Sequence, residues 1–170
     1  MSKTFNAVAV YAVAGCGSAT AAIDLRVRRV PNPMTVGIAA LGLLLAVLQA
    51  TGVGVIGALE GCAVGLALML PGHLIGATGA GDVKLMAAFG TLLGPGRTGT
   101  AFIYTAIAGG ALALVIAARR RRMSVTIERT AALLRTSGTA AADIERPCED
   151  NRFAYAPAIV AGALAAAMGF

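Results

Sequence analysis

Acidic residues are scarce outside positions 119–152: only Asp24, Glu60 and Asp82 lie elsewhere. Asp24 and Asp82 are 58 positions apart, and each stands where an apolar run meets a polar segment. Two carboxylates facing each other in a poorly solvated site cannot both ionise cheaply, so one keeps its proton while the other is a base. Such a pair can activate water and protonate an amide, the chemistry of peptide hydrolysis. A plainer reading stays open at this point: each Asp caps a helix or faces solvent beside arginines. Asp82 at a helix start is favourable through the helix dipole alone.

The elements that must position these residues follow from composition. Of the 170 residues, 58% are hydrophobic and 13% charged, and the mean hydropathy is +0.80. Soluble domains carry roughly 25% charged residues, so this chain lacks the charge to cover a water-exposed surface. Removing the charged positions leaves runs of 20 (Thr4–Ile23), 30 (Val30–Leu59), 21 (Gly61–Gly81), 12 (Leu85–Gly96), 21 (Thr98–Ala118) and 18 residues (Phe153–Phe170). A membrane-crossing helix needs about 17–25 apolar residues. The expectation is one all-α, polytopic membrane domain over 1–170. Its six helices fall at about 5–23, 34–50, 53–70, 83–93, 99–118 and 153–169. The Lys3 region could pass for a signal peptide, but one Lys precedes the first apolar run and three Arg follow it, so 1–23 reads as a retained helix.

Charge sets the orientation. Half of the 14 basic residues form two blocks, Arg26, Arg28 and Arg29, and Arg119–Arg122. Such blocks mark the cytoplasmic side. Six crossings put both blocks inside and both termini outside. Without the short fourth helix, Arg119–Arg122 would lie outside, against that rule. Asp24 and Asp82 then share the cytoplasmic edge. Met123, Ile127, Ala131 and Leu134 follow the arginines at helical spacing and suggest an interfacial helix on anionic lipid. No basic stripe is interleaved with aromatics, so nucleic acid is not a partner. Cys16, Cys62 and Cys148 contain no CxxC spacing and fit helix packing rather than metal or disulfide. Gly57, Gly61 and Gly65 form a small-residue stripe for close helix packing, and Gly90 and Gly94 repeat it.

The string Gly79-Ala80-Gly81-Asp82-Val83-Lys84-Leu85 places glycines just before a carboxylate, where a substrate backbone can approach. On that reading a bulky residue at Gly81 obstructs the site and Gly79→Ala is milder. Asp24 opens the string D-x-R-x-R-R-V-P-N. Both strings, in this order on these helices, resemble the type IV prepilin peptidase family of intramembrane GxGD aspartic proteases. Arg152–Ile159 is similar to the family's segment entering its last helix. The resemblance implies catalytic roles for Asp24 and Asp82, no metal and no cofactor. It also implies cleavage of prepilins or pseudopilins at the cytoplasmic face of the prokaryotic inner membrane. The short chain looks like the tight-adherence (Flp) branch. It lacks the N-terminal extension and paired CxxC cysteines that longer members carry, so neither N-methylation nor S-adenosylmethionine is implied.

Four neighbours complete the candidates. Lys84 lies about 200° around a helix from Asp82, which directs it toward headgroups or an acidic substrate residue. Asn32, bracketed by Pro31 and Pro33 in a segment expected to be non-helical, either caps the second helix or bonds near Asp24. His73 lies near the cytoplasmic interface, within reach of tuning the pair. Glu60 is mid-helix, protonated or hydrogen-bonded between helices. Two other function classes fit the acids: a small proton-coupled transporter using Asp24, Asp82 and Glu60 as a relay, and a non-catalytic factor that binds pilin helices.

Overall fold

The computed structural model describes residues 7–27, 30–76, 78–119 and 155–169, and among them every regular element is a helix. In chain order these are α1 (Ala7–Val27), α2 (Asn32–Val47), α3 (Gly54–Leu74), α4 (Ala80–Arg119) and α5 (Ala156–Met168). The stretches Ala7–Arg26, Gly54–Leu74 and Ala80–Val115 are long and apolar enough to cross a membrane, while α2 and α5 are shorter apolar helices.

The α4 helix is two arms joined at Gly94, whose φ of 74° and ψ of 172° are not helical. Glycine alone takes such a backbone without strain, and Pro95 starts the second arm at once with the fixed φ that suits a first turn. The neighbours reveal how far the chain turns. Tyr155 lies against Gly109 on the second arm and within electrostatic reach of Asp82 on the first. On a straight helix those two positions would be about 40 Å apart at 1.5 Å per residue. The arms therefore fold back on each other. The sequence reading expects separate helices over 83–93 and 99–118 with a four-residue turn between them; here the non-helical backbone is at Gly94.

Glycines set the close contacts. Gly61 of α3 abuts Gly90 and Gly94, and Gly65 abuts Met86 and Ala87, so α3 runs antiparallel to the first arm with backbones touching. Gly42 of α2 receives Thr91, Gly162 of α5 receives Thr105, and Gly17 of α1 receives Val160 of α5. The first arm is the central post: Leu85, Met86, Phe89 and Leu92 are fully buried, with Val13 and Ile159 beside them in the core.

Several helix ends differ from the sequence expectation. Asp24 lies inside α1, which continues to Val27. Asn32 is the first residue of α2, after Pro31 in an extended conformation (φ −66°, ψ 136°). Prolines are tolerated there because first-turn N–H groups have no helical partner. The α3 helix runs through Pro71 and Gly72 to Leu74. Gly81 and Asp82 belong to the first turn of α4 rather than to a loop.

One end of the bundle carries the 48–53 turn and Gly94, which meet where Val53 touches Gly94. The other end gathers Asp24, Asn32, Thr78, Gly79, Asp82 and Tyr155.

Candidate active site

Each carboxylate is held by a backbone N–H. Asp24 is 4% exposed, and its Oδ2 accepts the Ala156 N–H at 3.2 Å. That donor comes from the first turn of α5, where N–H groups have no helical acceptor. Asp82 is half-buried, and its Oδ2 accepts the Gly79 N–H at 3.2 Å. This is the returning half of a capping box: the third residue of the helix satisfies the amide at its own N-cap. The two carboxylates sit on different helices, and the segment that follows Asp24 lies against the start of α4: Gly81 meets Val30, and Lys84 bonds Asn32. The chain thus brings Asp24 and Asp82 to one end of the bundle.

The glycines around Asp82 differ in what they provide. A Cβ on Gly79 would stand 3.1 Å from Asp82 Oδ2, while one on Gly81 would stand 3.5 Å from the Val30 side chain, an ordinary contact. Neither has a positive φ, so space rather than backbone freedom is at stake, and Gly79 is the tighter position. In the loop between α3 and α4, positive φ occurs at Gly76 (73°). The His73 ring Nδ1 lies 3.0 Å from the Thr78 carbonyl, and the Thr78 N–H donates to Gly72 O at 3.2 Å. His73 thereby ties down the loop that leads into Gly79.

Lys84 donates to Asn32 Oδ1 at 3.0 Å, so its ammonium meets α2 rather than only headgroups or substrate. Asn32 makes no side-chain cap, since Pro31 occupies the N-cap. Together with Gly81 against Val30, this bond fastens the start of α2 to the start of α4. Glu60 is exposed on α3 and has no hydrogen-bond partner among the described residues. Cys16 and Cys62 are unpaired and half-buried on different helices. Cys148, the lipid-binding expectation for Arg119–Arg122 and the 123–134 helix concern side chains outside the described residues.

Sequence reasoning missed the contribution of α5. A backbone amide such as that of Ala156 has no signature in residue type. Tyr155 had one: an aromatic two positions before Pro157 at the entrance to an alanine-rich helix, and a glycine pair, Gly109 and Gly110, to face it.

A family model described as the type IV leader peptidase family matches residues 11–114. The chain belongs to this family. No curated protein and no solved structure matches it. The matched stretch contains Asp24, Asn32, Gly79, Gly81, Asp82 and Lys84, whereas α5 lies beyond it. Family membership makes the chain a leader-peptidase-like protease, a hydrolase built of apolar, membrane-type helices.

Proposed function

We propose that this protein is a membrane aspartic endopeptidase that removes the leader of type IV prepilins or pseudopilins. The observation that carries the reading is that Asp24 and Asp82, 58 positions apart in a leader-peptidase chain, come to the same end of the bundle, where Gly81 lies against Val30 and Lys84 bonds Asn32. In the proposed reaction the ionised member of the pair takes a proton from water. The oxygen attacks the scissile carbonyl carbon while the protonated member gives its proton to the carbonyl oxygen. Collapse of the tetrahedral diol breaks the C–N bond: the proton taken from water passes to the departing amine, and a diol hydroxyl returns its proton to the other aspartate, restoring the pair. No metal or cofactor takes part.

In this account the chain crosses the prokaryotic inner membrane six times, with both termini outside and the aspartates at the cytoplasmic edge. The basic residues beside Asp24 and after α4 support that orientation. The substrate's signal segment is itself an apolar helix, entering from lipid and unwinding at the dyad. Glu60 is exposed on α3 next to Gly61, which abuts Gly90. That level is about 12 Å along the arm from Asp82, so no observation favours a three-acid proton relay. Co-expression with candidate prepilins, reading the new pilin N-terminus by mass spectrometry, tests the reading. A single cut just before the hydrophobic stem is expected, and intact precursor beside every candidate would overturn it.

A further inference from the structure

The Asp24 carboxylate takes its hydrogen bond from a residue 132 positions away. Its orientation therefore depends on where α5 begins. The residue at that point is Tyr155, the N-cap of α5, with αR backbone (φ −91°, ψ −17°) and no side-chain cap bond. Its side chain turns outward to the second arm of α4. The phenol end of the side chain fills the space above Gly109, where a Cβ would overlap ring atoms Cε2 and Cζ and the hydroxyl oxygen. The phenol O–H donates to the Thr105 carbonyl at 3.4 Å. The same side chain lies within electrostatic reach of Asp82.

We infer that Tyr155 is a positioning residue for the aspartate pair: its ring, seated at Gly109, fixes the start of α5 so that the Ala156 N–H holds Asp24. The inference rests on the peptidase reading for its catalytic consequence, but its structural half stands apart from it. Hydrogen bonds to charged groups contribute about 1.5–3 kcal/mol, which corresponds to a loss of about ten- to a hundredfold when the bond is needed for reaction. Tyr155→Ala is expected to lower kcat by about that factor while KM moves less than about threefold. Tyr155→Phe keeps the ring and stays within about threefold of the parent. Gly109→Ala puts a methyl where the ring sits and behaves like Tyr155→Ala. Combining the two is no worse than either alone, because both remove the same seat.

A second measurement needs no activity. In full-length protein with Cys16, Cys62 and Cys148 replaced by alanine, Asp24→Cys provides a thiol whose labelling by a water-soluble maleimide reports how that site is held. Adding Tyr155→Ala is expected to raise the labelling rate severalfold, and adding Tyr155→Phe to leave it unchanged. Unchanged labelling and unchanged kcat in membrane-inserted Tyr155→Ala would overturn the inference. So would a Tyr155→Phe variant as impaired as Tyr155→Ala, which would give the hydroxyl rather than the ring the leading part. If the parent protein cleaved no prepilin, the peptidase reading would fall while the labelling rates would still decide the role of Tyr155.

Discussion

At the residue scale, the two carboxylates differ in how their surroundings are built. Asp24 depends on a distant helix, whereas Asp82 depends on the glycine three positions before it. The two glycines before Asp82 differ when the added group is the same size. A methyl at Gly79 would press on the Asp82 carboxylate, while a methyl at Gly81 finds ordinary contact with Val30. Gly79→Ala is expected to slow cleavage on the order of tenfold, equivalent to about 1.4 kcal/mol of barrier, and Gly81→Ala to stay within about twofold. Steady-state rates on one prepilin substrate check the order, and a slower Gly81→Ala would contradict it. The Lys84–Asn32 bond is exposed, so its contribution is about 1 kcal/mol or less. Asn32→Ala and Lys84→Met should each cost only a few-fold in rate. A double-mutant cycle should show them to be non-additive, since either change removes the same bond.

At the element scale, the α3–α4 seam is the most demanding contact. A Cβ on Gly61 would run into the Gly90 carbonyl, which is backbone and cannot rotate away. Gly61→Ala should destabilise the fold by about 1–3 kcal/mol, as overpacking does. Gly15→Ala, with nothing within 4 Å, should stay within about 0.5 kcal/mol. Reversible unfolding in mixed micelles measures both. This seam was legible in the sequence because glycines at intervals of four can serve little but close approach. Helix ends were less legible. Asp24 and Asn32 looked like loop residues because polar side chains and prolines usually end helices. Here Asp24 is satisfied by α5, and the prolines fall where a helix tolerates them. The donor that holds Asp24 was illegible, since any non-proline residue at 156 carries the same amide.

At the scale of the whole molecule, the folded-back α4 brings Asp24, Asp82 and Tyr155 to one end, with the 48–53 turn and Gly94 at the other. Membrane-impermeant thiol labelling of intact cells checks the proposed orientation. Cysteines replacing the exposed Gln49 and Gly96 should react, and those replacing the exposed Asn32 and Ile75 should not. The opposite pattern would turn the aspartates outward. The central claim is narrower: Asp24 and Asp82 act together in hydrolysis. The most direct measurement is prepilin cleavage in membranes containing the parent protein, Asp24→Asn or Asp82→Asn at equal, verified insertion. The account predicts processed pilin with the parent and almost none with either variant, because each removes one partner from a reaction that needs a base and an acid. Processing at the parent rate by either inserted variant would contradict it.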